Sequence, residues 1–106
     1  MSYRVQLQPP AERDLEEAWL WAARRAPETA NRWLVRFRTA LETLSENPQR
    51  CGLAPERRKF KQQLHQLHFG KKPNVFRAIF LIDGETVRIL RILRASRRTL
   101  SPEELI

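Results

Sequence analysis

Cysteine is almost absent from this chain of 106 residues, because Cys51 is the only one. A single cysteine cannot form an internal disulfide, and disulfide frameworks are typical of small secreted domains. The chain also has no apolar run near the roughly 18–20 residues of a membrane span, and its first residues show no signal-peptide core. We therefore expect a cytoplasmic protein in which the Cys51 thiol has no catalytic role.

Groups that carry catalytic or metal chemistry are also scarce. The sequence has only three glycines, no Gly-rich phosphate loop, no Ser/His/Asp set and no paired acids in its basic half. His65 and His68 lie three residues apart, which places them on opposite faces of a strand and not on one metal ion. We expect no metal and no cofactor, and we keep His68 as a candidate acid–base group near the basic surface.

Acidic residues are scarce only in the second half of the chain. Residues 1–48 contain seven Lys and Arg and seven Asp and Glu, whereas residues 49–106 contain thirteen and five. The second half therefore carries the whole net charge of +8. Clustered charge repels itself in a compact fold, and a balanced surface would be equally soluble. The clustering indicates a polyanionic partner, either nucleic acid or a strongly acidic protein.

Hydrophobic periodicity predicts the order β-α-α-β-β-β and a single domain over residues 1–106. Apolar stripes on a helical hairpin and apolar faces on strands cover each other in two layers. The predicted fold is therefore α+β, with the helical hairpin packed on one face of a small, mainly antiparallel sheet. The predicted strands are residues 3–7, 63–69, 75–82 and 85–94; the predicted helices are residues 11–25, a second one from Pro27 that stops at Asn47-Pro48, and a short one opened by Ser101.

A two-residue turn at Asp83-Gly84 is predicted to set the register of the last two strands. In that register one face is mostly apolar and packs on the helices, while the other mixes arginines with aliphatic residues and is half-exposed. The one arginine on the helix side, Arg91, would need a carboxylate from a helix. A one-residue slip in the turn would exchange the two faces. The half-exposed face is predicted to hold Arg77, Arg88, Arg94, Ile79, Leu81, Leu90 and Ile92.

Three features have alternative interpretations. The arginines of the sheet face suit phosphate groups, which guanidinium binds in a bidentate manner, or they only protect the sheet from edge-to-edge association. The basic run at residues 57–61 is either a solvated loop or a nucleic-acid contact. Trp21 lies off the apolar stripe of its helix and is either a packing residue or an exposed part of a partner surface.

Six segments, taken in order, resemble the RelE/ParE family of toxins from bacterial type II toxin–antitoxin modules, also called plasmid stabilisation systems. The resemblance covers nearly the whole chain and is strongest in the last two segments. The segments are YRVQL at residues 3–7, AERDLEEAW at 11–19, ANRW at 30–33, ENP at 46–48, FRAIF at 76–80 and DGETVRILRIL at 83–93.

The resemblance implies the β-α-α-β-β-β fold, an acidic antitoxin as partner and one of two activities. RelE-like members cut mRNA in the ribosome, and ParE-like members inhibit DNA gyrase. The family's third-strand arginine corresponds to Arg77. The family often has a His shortly after the last strand, followed by an Arg, and many of its nucleases add a Tyr near the end, but residues 94–99 contain neither His nor Tyr. RNA cleavage must activate a 2′-hydroxyl and protonate a leaving oxygen, and arginine does both poorly because it stays protonated.

We therefore favour a ParE-like inhibitor of DNA gyrase, and whether the chain is an enzyme stays open. A RelE-like, ribosome-dependent mRNA endonuclease is the alternative, and a degenerate toxin that only binds antitoxin or nucleic acid is the third interpretation.

We expect Arg77→Ala to reduce toxicity with little loss of stability, as for a surface residue. The catalytic candidates are Arg77, Lys71, Lys72 and His68; the predicted target- or nucleic-acid-binding residues are Lys71, Lys72, Arg77, Arg88, Arg94, Arg97 and Arg98; the predicted antitoxin anchors are Ile79, Leu81, Leu90 and Ile92.

Overall fold

The computed structural model describes residues 2–105, and its element order is the predicted β-α-α-β-β-β. No helix within this part of the chain is both long and apolar enough to cross a membrane. The elements are β1 (Arg4–Leu7), α1 (Pro9–Ala23), α2 (Pro27–Glu42), β2 (His65–Phe69), β3 (Phe76–Asp83) and β4 (Thr86–Arg94), with short 3-10 turns at Thr43–Ser45, Pro48–Arg50, Pro55–Lys59 and Pro102–Leu105.

Proline residues mark the start of both helices. Helix α1 begins at Pro9, two residues before the predicted start, and α2 begins at Pro27 as predicted. The first N–H groups of a helix have no intrahelical partner, so a residue without an N–H costs nothing there. After α2 the apolar stripe continues to Leu44 in the 3-10 turn at Thr43–Ser45. Asn47 then redirects the chain with a left-handed φ of 45°.

The four strands form one mixed sheet in the order β1-β4-β3-β2. Strand β1 runs parallel to β4, and the other two pairings are antiparallel. Both helices pack on one face of this sheet, which confirms the predicted α+β architecture. The helix-side core between them is centred on Phe37, whose ring centroid lies 4.5 Å from that of Phe69 and 6.0 Å from that of Phe76.

The turn between β3 and β4 differs from the prediction by one residue. Asp83 pairs with Thr86, so the turn residues are Gly84 and Glu85. Gly84 has a φ of +60°, a left-handed conformation that glycine adopts without steric cost. Each residue of β3 near the turn consequently pairs with a residue two positions further along β4 than predicted, so that Phe80 faces Ile89 and not Val87. Because side chains alternate between faces every residue, a shift of two leaves the residues next to the turn on their predicted faces.

A β-bulge at Leu90 reverses the predicted faces in the second half of β4. Phe80 pairs with Ile89 and Ile79 pairs with Arg91, which leaves Leu90 as an extra residue. Ile92 and Arg94 therefore lie on the helix side, and Arg91 lies opposite Ile79 on the outer side, so the predicted faces of these three residues are wrong. No local pattern indicates the bulge, because apolar residues occupy both faces of this strand.

The face of the sheet away from the helices is covered, so the predicted half-exposed surface is wrong. Residues 51–64 and the C-terminal tail fold over it. The four predicted antitoxin anchors are all buried inside the protein, Ile79, Leu81 and Leu90 on this face and Ile92 on the helix side. The covering residues lie in irregular segments, where periodicity gives no signal. This outer core consists of Ala54, Leu64, Ile79, Leu81, Leu90, Leu93, Leu100 and Leu105.

Asp14 of α1 connects the helical layer to the edge of β4. Strand β1 pairs with β4 only as far as Ile89, and beyond it Asp14 Oδ2 accepts the N–H of Ile92 at 3.0 Å. The same carboxylate accepts Nε and Nη2 of Arg91 at 2.6 and 2.9 Å. Arg91 also donates to the carbonyl oxygen of Glu104 at 2.6 Å. Arg91 thus has the helix carboxylate that was predicted, although it lies at the outer side of the sheet edge and not on the helix side from which the prediction was made.

We expect Asp14→Ala to lower the free energy of unfolding by about 2–4 kcal/mol, because it leaves a mostly buried guanidinium and a strand N–H without their acceptor. Urea denaturation measures this. The matched control is Glu16→Ala on the same helix, an exposed position where we expect a change within about 0.5 kcal/mol. Equal decreases in the two variants would contradict the structural role of Asp14.

Candidate functional site

Arg77, the arginine expected to contact the target, is buried in a bidentate ion pair. Its Nη1 and Nη2 donate to Glu56 Oε1 and Oε2 at 2.8 and 2.6 Å, and Nη1 also lies 3.3 Å from Gln66 Oε1. Only 4% of Arg77 and 1% of Glu56 are exposed. The prediction of an exposed Arg77 is therefore wrong, because residues 51–64 bring a carboxylate over this strand.

No role for Glu56 was predicted from the sequence, although this residue is the only acid beside a run of four cations. Its Oε2 also accepts the backbone N–H of Leu100 at 2.9 Å, which ties in the C-terminal tail. Burial alone would raise the pKa of the Glu56 carboxyl, but the hydrogen bonds from Arg77 and Leu100 outweigh it and lower the pKa below its ordinary value. Glu56 is therefore ionised at neutral pH and neutralises Arg77.

Three other predicted binding cations also have acidic partners. Arg88 donates to Asp83 Oδ2 at 3.1 Å, and Arg97 and Arg98 lie 3.7 and 3.2 Å from the carboxylate of Glu104. These exposed pairs are weak in energy, but they reduce the positive potential that the sequence suggested.

The carboxylate of Glu104 also accepts the backbone N–H of Ser101 at 2.9 Å. This hydrogen bond is the main cause that lowers the pKa of Glu104. It is the reciprocal hydrogen bond of a capping box, in which Ser101 opens the short turn at the predicted position.

Lys71, Lys72 and His68 are exposed on β2 and on the loop that follows it. None of the three side chains makes a hydrogen bond or ion pair to another part of residues 2–105. Arg94 lies near this end of the sheet, where its Nη1 donates to Asn74 Oδ1 at 3.0 Å. Arg88 lies at the other end of β4, beside the hairpin turn. The predicted binding residues therefore do not form one surface.

A groove of about 890 Å³ lies between the helical hairpin and the end of β3 and β4. Its floor is largely apolar, and arginines stand at its rim together with the carboxylates of Asp14 and Glu17. No sequence pattern indicated this groove, because its walls come from both helices, the β2–β3 loop and β4. Its lining includes Trp21, Ala22, Arg25, Trp33, Phe76 and Arg94.

Trp21 is half exposed at this groove and lies between two arginines. The guanidinium carbon of Arg25 lies 4.0 Å from the centre of the Trp21 ring, and that of Arg94 lies 5.2 Å from it. Arg94 lies equally close to the ring of Phe76. Cation–π contacts of this kind hold charged groups beside an apolar surface. Trp21 is thus exposed, as the second interpretation of this residue requires.

The side chains of His65 and Cys51 have structural and not catalytic environments. His65 is buried, stacks on Phe80 with ring centroids 5.4 Å apart, and has Nδ1 2.9 Å from the carbonyl oxygen of Cys51. Burial raises the pKa of the Cys51 thiol despite the nearby charge of Arg50, so the thiol is not activated. Across residues 2–105 no three His, Cys, Asp or Glu side chains come together in a way that could hold a metal.

The chain has the fold of the toxins in bacterial toxin–antitoxin modules. It matches a chain from the structure of the chromosomal ParDE toxin–antitoxin system of P. aeruginosa at 20% identity and a TM-score of 0.70, over 88% of this chain and 96% of that one. It also matches a chain of the toxin–antitoxin complex RelBE2 from Mycobacterium tuberculosis at 23% identity and a TM-score of 0.54, over 89% and 99%. At these identities the likeness establishes the fold alone.

The chain belongs to the ParE toxin family. The sequence profile of that family, described as the ParE toxin of the type II toxin–antitoxin system parDE, matches residues 5–99. No curated protein matches the sequence. The predicted membership in the RelE/ParE group is confirmed, and the protein is the toxin component of a type II toxin–antitoxin system.

We expect Arg77→Ala to lower the free energy of unfolding at neutral pH by about 3–5 kcal/mol, because Glu56 stays buried without its cation. Since the pKa of Glu56 is lowered in the folded state, its contribution is complete above the unfolded value of about 4.3 and is lost as the pH falls through the folded value. The difference between wild type and variant should therefore shrink in acid. Urea denaturation at several pH values measures it.

The matched control is Arg88→Ala, which breaks an exposed pair and should cost about 1 kcal/mol or less. The buried role of Arg77 would be contradicted if Arg77→Ala lowered the free energy of unfolding no more than the control did and still abolished toxicity. Arg77 would then be a surface residue that contacts the target.

Proposed function

We propose that this toxin arrests growth by inhibiting DNA gyrase in the cytoplasm, and not by cutting mRNA. The observation that carries the proposal is the burial of Arg77 against Glu56. An arginine can stabilise the charge that develops in phosphoryl transfer only when its guanidinium reaches the phosphate. Here both terminal nitrogens already bind a carboxylate beneath a covering loop.

The other candidates for RNA cleavage also support this proposal. Nucleolytic groups need fixed positions, because an acid–base group must lie within hydrogen-bond reach of the proton it transfers. His68, Lys71 and Lys72 are exposed, and no side-chain hydrogen bond within residues 2–105 holds them in place. The absence of His and Tyr from residues 94–99 leaves no replacement near the end of β4.

We expect induced expression of the chain without its antitoxin to stop growth, and the purified protein to inhibit DNA supercoiling by gyrase while mRNA on ribosomes stays intact. The two assays are run side by side on the same preparation. Codon-positioned mRNA cuts that require ribosomes would contradict the proposal. Normal growth at verified soluble expression would favour the degenerate toxin that only binds its partners.

We further propose that the antitoxin docks in the groove beside Trp21, in place of the buried anchors Ile79, Leu81, Leu90 and Ile92. A half-exposed tryptophan above an apolar floor is the kind of anchor that dominates binding energy. Arg25 and Arg94 at the rim fit an acidic antitoxin segment and steer its approach. Such steering weakens as salt screens it, with a Debye length of about 8 Å at physiological ionic strength.

We expect Trp21→Ala to weaken antitoxin binding about 30-fold or more, which corresponds to about 2 kcal/mol for a central anchor. We expect Arg94→Gln to slow association and to flatten its dependence on salt. Association and dissociation rates of the acidic protein encoded beside the toxin gene measure both effects. Leu20→Ala, an exposed apolar residue of α1 outside the groove, is the control and should change little. Equal effects at Trp21 and Leu20 would exclude the groove.

A further inference from the structure

Four cations lie within five consecutive residues on the outer side of the molecule. These residues, Arg57, Arg58, Lys59 and Lys61, are all exposed, and none of them forms an ion pair within residues 2–105. We refer to them as the basic loop. A flexible basic segment would be an ordinary solvated surface, whereas a segment held in a defined position presents its charges in a fixed arrangement.

The basic loop is fixed at several points. Glu56 precedes it and is locked in the buried pair with Arg77. The N–H of Ala54 donates to the carbonyl oxygen of Leu64 at 2.8 Å and closes the loop at its base. Phe60, between the cations, turns inward and packs on the outer core. The loop therefore presents its four cations outward from a rigid base.

The ion pairs elsewhere leave eight cations of the second half without a carboxylate partner within residues 2–105, and four of these eight lie in this loop. In the second half of the chain, Arg77, Arg88, Arg91, Arg97 and Arg98 each lie beside a carboxylate. The net charge of +8 is therefore not spread over the thirteen cations of that half. Within residues 2–105 the basic loop holds the densest group of cations without acidic partners, and it faces away from both helices and from the groove.

We propose that the basic loop binds the phosphate backbone of duplex DNA without reading its sequence. Closely spaced cations neutralise adjacent phosphates and release counterions, which supplies most of the affinity in sequence-independent binding. A protein partner would need an apolar anchor, and Phe60 is directed inward. Single-stranded nucleic acid would need an exposed aromatic platform for its bases, and the loop has none.

The loop and the groove lie on different sides of the sheet. DNA at the basic loop therefore does not compete for the groove in which we place the antitoxin. The proposal is also independent of gyrase, because DNA binding by the toxin alone is measured without it.

The test is fluorescence anisotropy of a labelled 20-base-pair duplex of arbitrary sequence, titrated with the full chain across a salt series. The variant Arg57→Gln/Arg58→Gln/Lys59→Gln/Lys61→Gln should flatten the slope of log K against log salt by about 0.9 for each phosphate that it no longer neutralises, or by about 3–4 in all. The matched control Arg13→Gln/Arg24→Gln/Arg32→Gln/Arg36→Gln removes four exposed cations from the two helices and the C-terminal cap of α1 and should keep the wild-type slope.

Equal slopes in the two variants would overturn the proposal, since only net charge would then matter. A wild-type slope in the loop variant, or tighter binding of single-stranded RNA of the same length, would overturn it too. Weaker antitoxin binding with DNA binding unchanged would make the loop a protein-binding surface instead. Thermal unfolding checks that both variants fold. If the loop variant does not fold, the single changes Arg58→Gln and Lys61→Gln should each flatten the slope by about 0.9.

Discussion

The carboxylate of Glu56 holds together the three parts of the chain that meet on the outer face of the sheet. It stands in the 3-10 turn after Ala54, binds both terminal nitrogens of Arg77 on β3, and accepts the backbone N–H of Leu100 in the tail. A buried carboxylate is stable only when its oxygens are satisfied in this way. The outer core therefore forms with its polar centre complete, and within residues 2–105 no buried side-chain nitrogen or oxygen lacks a hydrogen-bond partner.

The elements with strong periodicity could be predicted from the sequence, and the contacts between irregular segments could not. The two helices and the four strands all follow from local patterns. The bulge at Leu90 could not be predicted, because Ile and Leu alternate with Arg in a way that fits either face. The burial of Arg77 depends on Glu56, which lies 21 residues away in a loop and has no pattern that points to its partner.

The same limit applies to the candidate site. Counting cations correctly placed the charge in the second half of the chain, but a count does not show which cations are already neutralised. Arg77, Arg88 and Arg91 have carboxylate partners, two of them from distant parts of the sequence. The groove beside Trp21 could not be predicted for a related reason, since its walls come from several elements. Only the departure of Trp21 from the stripe of α1 indicated that this residue faces something other than the core.

One acid consequently has two opposite effects on the surface of the toxin. By binding Arg77, Glu56 removes from the surface the arginine that the family resemblance would assign to target contact. By the same bond it anchors the turn from which Arg57, Arg58, Lys59 and Lys61 extend outward. The outer core and the basic loop are therefore one structural unit. We therefore expect that breaking the buried pair would also release the turn that carries the exposed cations, which links the stability of the outer core to the placement of these charges.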